Sequence, residues 1–351
     1  MKYLIFNQFN LIKIFCCFLV VYQHIVSHFL NSPNATISTH LIYGSLLNFS
    51  RFAVPIFLLI TGFLIMRSYE NISLKDFYTK KVPRILKIYL CANLLFIIPK
   101  IFKSNYSINI FLRDIFLGKA SSHLWYMNAL LKIYLFYPLF KILVIKLNKY
   151  FKCKSIVIIT IMQYFISSNA YSILSKKQSN IGIFLFTYLD RSLIIWGYYI
   201  ILGGLIYKNF DYIYKLIKRY KILCIILYII SLIYINLYTF NSATINYYKT
   251  SPSTFRILIY SILSFINLYY IADYLTKKNI KQIQTIEKAF SKHILKIYIT
   301  HPLIVTASSN ILFLVRPLPH NLGALIIILI VMILSIMPFY IYECKRQAVK
   351  I

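Results

Sequence analysis

The run LIKIFCCFLVVYQHIVSHF, residues 11–29, decides the fold. It has the length a helix needs to cross the hydrocarbon core, about 20 residues at ~1.5 Å each, and its only basic side chains are Lys13, His24 and His28. Comparable apolar runs follow at 45–66, 84–102, 124–147, 155–174, 190–207, 221–239, 254–275, 290–312 and 322–342. With 60% hydrophobic residues and a mean hydropathy of +0.70, the chain holds more apolar surface than a water-soluble core can absorb. The prediction is an all-α integral membrane protein, a bundle of about ten transmembrane helices, with 1–351 as a single domain and no separate soluble one. The first run passes through His24 without a small-residue cleavage site, so it reads as a retained span.

Charge orients the bundle. There are 39 lysines and arginines against 8 acidic residues, a net charge of +31. These charges sit between apolar runs, which argues against nucleic acid as a partner and for membrane lipids. The connection 67–87 carries Arg67, Lys75, Lys80, Lys81, Arg84 and Lys87, whereas 30–44 carries no lysine or arginine. Basic clusters recur at Lys146 to Lys154, Lys208 to Lys221, Lys277 to Lys292 and Lys345 to Lys350, all on one side. The opposite loops hold Lys100, Lys103, Arg113 and Lys119, then Lys176 with Lys177, Lys249 and Arg316. By the positive-inside rule both termini are cytoplasmic. Segment 103–122 is too polar to span and is expected along the outer interface. No internal repeat supports a two-halved transporter. The six cysteines lack zinc spacing and read as buried or cytosolic thiols.

Ionisable groups inside a bilayer are costly and mark candidate sites. Lys13 and His24 are eleven residues apart, three turns plus about 20°, so they share a helix face, about 16 Å apart along the axis. His28 continues the stripe. Lys13 reads either as a snorkelling anchor or as a cation for a ligand. His24 reads either as a hydrogen-bonding partner of a neighbouring helix or as a proton-transfer group. Arg51 opens Arg51-Phe52-Ala53-Val54-Pro55-Ile56-Phe57, ahead of Thr61-Gly62-Phe63, and in the outer leaflet it needs a partner or an anion. Asp190-Arg191 reads first as a structural ion pair. The acidic residues fall mostly at loop edges, without metal spacing, so no metal is expected.

These segments resemble the acyltransferase 3 family of membrane acyltransferases, which includes bacterial polysaccharide O-acetyltransferases, and the likeness runs through most of the chain. Lys13 and His24 match the family's Arg-x10-His, with lysine at the arginine position. The Arg51 segment ending in Thr61-Gly62-Phe63 is similar to an arginine-led stretch ending in Ser-Gly-aromatic. Lys81-Val82-Pro83-Arg84 resembles Arg-x-x-Arg. His123-Leu124-Trp125-Tyr126 with Tyr134 and Pro138, Gly203-Gly204, and Tyr298-Ile299-Thr300-His301-Pro302 are similar to later family segments.

The resemblance implies transfer of an acyl group, acetyl by expectation, from cytoplasmic acyl-CoA to a hydroxyl of a cell-surface or lipid-linked glycan. The setting would be a multi-pass bacterial inner or cytoplasmic membrane. Acyl-CoA would be a co-substrate, with no permanently bound cofactor. His24 is the expected base. Lys13, Lys81 and Arg84 would bind the coenzyme A phosphates, and Arg51, Thr61, Trp125, Tyr126 and His301 are possible acceptor or transition-state contacts. No Gly-x-Ser-x-Gly elbow points to a covalent serine intermediate. The rivals are a flippase or transporter of lipid-linked sugars and a membrane glycan polymerase. A transporter predicts charge lining several spans, whereas intramembrane charge in this sequence concentrates in the first two spans and at the edge of the third. A polymerase predicts a large outer loop or a membrane-proximal carboxylate, and the outer loops are short.

Overall fold

Proline and glycine set where the helices break. A computed structural model describes residues 4–70, 72–102, 106–175, 192–240, 245, 247–309 and 320–348. In chain order the helices are α1 (Leu4–Leu30), α2 (Ile37–Thr39), α3 (Ser45–Ser50), α4 (Ala53–Tyr69), α5 (Leu74–Lys80), α6 (Val82–Ile101), α7 (Ile108–Leu117), α8 (Trp125–Leu135) and α9 (Tyr137–Phe151). They continue with α10 (Lys154–Ser175), α11 (Leu193–Lys208), α12 (Phe210–Arg219), α13 (Lys221–Phe240), α14 (Phe255–Lys277), α15 (Lys281–Phe290), α16 (Ile294–Ser309) and α17 (His320–Ala348). A π-helical stretch, His40–Gly44, leads into α3, and a 3₁₀ turn, Tyr247–Thr250, precedes α14.

The described residues are helical, with no strand, and a helix lies on each of the ten predicted runs. Among the described residues six helical stretches are long and apolar enough to cross a membrane, or up to seven if the α11–α12 pair, bent by 90°, counts as one. Pro138 explains why 124–147 is two helices: it has no N–H for the Tyr134 carbonyl, and α8 stops at Leu135. Segment 103–122 contains α7, amphipathic, capped by the Ser107 hydroxyl and closed by Gly118 at φ 62°, a conformation suited to glycine. Asp190, Arg191, Lys176, Lys177 and Arg316, and the side chains of His28, Lys249 and Cys344, lie outside the described residues.

The chain divides into two compact units, Met1–Phe57 with Tyr214–Ile351, and Leu58–Ile213. In the first, α1 is the central helix and packs against α14, α16 and α17. Ile14, Cys17, Val21 and Ile25 share a helical face and join Ile297, Val305, Ile327 and Val331 in one buried cluster. Phe9 packs on Phe265 and Tyr269 of α14. By contrast α13 buries only Ile235 and Thr239 and exposes Ile222, Ile226, Ile229, Ile233 and Leu237, an apolar surface fit for lipid.

In the second unit α4 and α11 cross at backbone contact. A Cβ at Gly203 would run into the Leu59 carbonyl oxygen and come 2.8 Å from Phe63 N, and one at Gly62 would run into the Ile200 carbonyl. Only glycine allows that approach. A small cluster of Ile65, Phe77, Val82 and Tyr137 closes the α5–α6 corner.

Buried charge extends beyond the first two spans. Asp114, Asp273 and Glu343 are 0%, 6% and 4% exposed, which corrects the loop-edge expectation for these three. They sit close to helix ends in sequence, but packing turns each inward onto partners: Asp114 onto Lys100 at 3.0 Å, Asp273 onto Lys277, and Glu343 onto His293 at 3.0 Å.

Candidate active site

Pro55 explains where Arg51 stands. It has no N–H to return to the Arg51 carbonyl, so the helix is interrupted at Arg51-Phe52 and α4 restarts at Ala53. The Ser50 carbonyl accepts a 2.7 Å hydrogen bond from Gln23 Nε2 of α1. The break therefore ties Arg51 to the α1 face that carries His24.

A cavity of about 530 Å³ opens there, lined by Gln23, His24, Ser27, Leu30, Asn31, Leu47, Arg51, Ile245, Tyr247 and Ser251. The Arg51 guanidinium donates from Nη2 to the Tyr247 carbonyl at 3.2 Å, and its Nε is buried without a hydrogen-bond partner. Tyr247 is held in turn. Its hydroxyl lies 3.0 Å from His40 Nδ1 and against Gly44, where a Cβ would overlap it. Burial pushes the Tyr247 phenol up to about 12, so it stays a neutral wall group. Below it, the fully buried Asn48 donates to Asn236 Oδ1 at 3.0 Å and Thr239 Oγ1 at 3.1 Å, and accepts from Thr250 Oγ1 at 3.1 Å.

His24 has a second histidine beside it. Its ring centroid is 5.1 Å from that of His301, which is fully buried on α16 and 5.9 Å from the Tyr298 ring. His301 Nδ1 lies 3.2 Å from the Ile297 carbonyl, an acceptor only, so Nδ1 carries the proton and Nε2 the lone pair in the neutral ring. Among the predicted residues, His24, Arg51 and His301 are thus brought together. Tyr247 and Asn48 were missed: a tyrosine among 32 and a lone neutral asparagine inside an apolar run carry no motif.

Lys13 has a carboxylate neighbour, since Glu287 of α15 acts on it electrostatically and accepts 2.6 Å from Asn10 Nδ2. Glu287 also lines a second cavity of about 290 Å³ with Asn7, Leu11, Thr276, Asn279 and Gln284.

Lys81, Arg84, Thr61, Trp125 and Tyr126 belong to the second unit. Lys81 ends α5 and precedes Pro83 in the first turn of α6, with its ammonium 5.2 Å from the Tyr69 ring centroid, and Arg84 is exposed. Thr61 and Tyr126 are hydrogen-bonded to each other, and Trp125 stands 4.9 Å from Trp196. His123 is buried, with Nδ1 3.0 Å from Ser121 Oγ. Tyr134 stacks on Phe77 and serves packing. No metal-binding group of three or more His, Cys, Asp or Glu occurs among the described residues.

The sequence pattern of the acyltransferase 3 family, described as an acyltransferase domain, matches residues 6–341. The chain belongs to that family. Membership over nearly its whole length, with its apolar helices, makes it a multi-pass membrane acyltransferase. No curated protein and no solved structure matches it.

Proposed function

We propose that this membrane acyltransferase moves an acetyl group from cytoplasmic acyl-CoA to a hydroxyl of a cell-surface or lipid-linked glycan, in a bacterial cytoplasmic membrane. In this reading ten spans cross the bilayer and both termini are cytoplasmic. The observation that carries it is His24 beside His301 on the wall of a hydroxyl- and amide-lined cavity large enough for a small ligand.

The acceptor hydroxyl oxygen attacks the thioester carbonyl, and its proton passes to the His24 imidazole. The carbon–sulfur bond breaks, the oxyanion collapses to the ester, and the coenzyme A sulfur leaves with the proton His24 holds. His301 packs the second ring against His24 and restricts its rotation. Lys81 and Arg84, at a helix start, supply charge for the donor phosphates, and Lys13 adds a point charge partly offset by Glu287. Thr61, Trp125 and Tyr126 are proposed donor- or acceptor-side contacts.

Mass spectrometry of surface glycans from cells with the wild-type chain, without it, and with His24→Ala at equal membrane abundance tests the reading. Loss of an acetyl-sized increment in the last two is expected. Glycans that keep their acylation and change in amount or length would replace it with transport or polymerisation.

A further inference from the structure

The chain has 8 carboxylates, and 7 are in described residues. Glu70 pairs with Lys208, Asp76 with Lys80, Asp114 with Lys100, Asp273 with Lys277 and Glu343 with His293. Glu287 accepts from Asn10, and Asp211 is exposed on α12. Among the described residues none pairs with Arg51, which stands at the broken start of an apolar span and shares its cavity with amides, hydroxyls and an imidazole but no acid. A guanidinium offers five donors, and the hydrogen bond on this one goes to the Tyr247 carbonyl. A half-buried cation without a counter-charge is costly. An oxyanion that exists only in the transition state would leave it uncompensated for the rest of the cycle.

We propose that the cavity takes an acidic acceptor, a saccharide bearing a carboxylate or phosphate, with Arg51 binding that charge while Gln23, Ser27, Asn31 and Ser251 meet its hydroxyls. The inference rests on the acyl-transfer reading for calling this ligand an acceptor. The anion site itself stands apart from it.

The test is thermal unfolding of the purified full chain in detergent, at fixed ionic strength, titrated with D-glucuronate, glucose 1-phosphate and D-glucose. Wild type is expected to bind at least one of the two anions on the order of tenfold more tightly than glucose, the scale of one charge-assisted contact. The preferred anion tells carboxylate from phosphate. A net charge of +31 attracts anions anywhere on the surface, so the comparison with Arg51→Gln is the decisive one. That variant should bind the anion no better than glucose, and Arg51→Lys should retain part of the preference. Anion binding equal to that of glucose in folded wild type, or unchanged in folded Arg51→Gln, overturns the proposal. If Arg51→Gln does not fold, a weakened preference in Arg51→Lys supports the proposal, and an undiminished preference there, with lysine's single point charge, overturns it. Acetyl transfer is read separately on glycans, so a chain that binds glucuronate at Arg51 yet moves no acetyl group refutes the reaction and leaves the site.

Discussion

The cavity around His24 and the crossing of α4 with α11 are built on opposite rules. Around the cavity, positions are set by polar bonds: Gln23 holds the Ser50 carbonyl, the Tyr247 carbonyl holds Arg51, and Asn48 holds Thr250. At the crossing, positions are set by missing side chains, with Gly62 and Gly203 each against a backbone carbonyl of the facing helix. Substitutions in the cavity should therefore change chemistry more than stability, and those at the crossing the reverse.

His24→Ala sharpens that contrast most. Removing a general base costs about 10² to 10⁴ in rate, so acyl transfer should fall by that factor while the thermal midpoint moves little, because the side chain lines a cavity. A midpoint drop as large as that of a core truncation would make His24 a packing residue.

Gly203→Ala comes next. Its new methyl meets a backbone carbonyl that cannot step aside, and overpacking of this kind costs about 1–3 kcal/mol. Gly204→Ala instead meets the Val144 side chain at 2.8 Å, which can shift, so it should cost less. Thermal unfolding of both, with activity measured on the folded fraction, checks the order. Equal midpoints would dissolve the comparison.

Asn48→Ala joins the two rules in one residue. It leaves the Thr239 and Thr250 hydroxyls short of a buried partner, at roughly 1–3 kcal/mol, and loosens the 3₁₀ turn whose Tyr247 carbonyl holds Arg51. The acceptor KM should rise several-fold with kcat nearly unchanged. A fall in kcat alone would mean that the knot supports His24 instead.

The all-helical class was legible because lipid imposes a length rule: each predicted apolar run of about 20 residues carries helix, with breaks where Pro55 and Pro138 withhold an N–H. The candidate site was legible where a costly residue stood out, as His24 and Arg51 do in apolar runs. It was not legible where ordinary residues converge from distant segments. Asn48 reaches the 3₁₀ turn that starts at Tyr247 through Thr250, far away in the chain. The pairing of His24 with His301 likewise depends on α16 packing against α1. Glu287 is a further case: the helical pattern around Lys13 holds nothing that points to α15.

That neighbour yields the smallest expected effect. Glu287 acts on Lys13 electrostatically, and its carboxylate is already held by Asn10. If Lys13 contributes to the donor phosphates, Lys13→Gln raises the acyl-CoA KM by roughly tenfold or less, since one lysine gives a point charge and not a fork. Glu287→Gln then lowers that KM a few-fold, because a competing anion is gone, and Lys13→Arg keeps or improves it. An anchoring lysine predicts something different: indifference of KM to all three, with Lys13→Gln altering only membrane abundance. Because the two partners shift KM in opposite directions under one reading and not at all under the other, steady-state kinetics on the pair distinguishes them even when each effect is small.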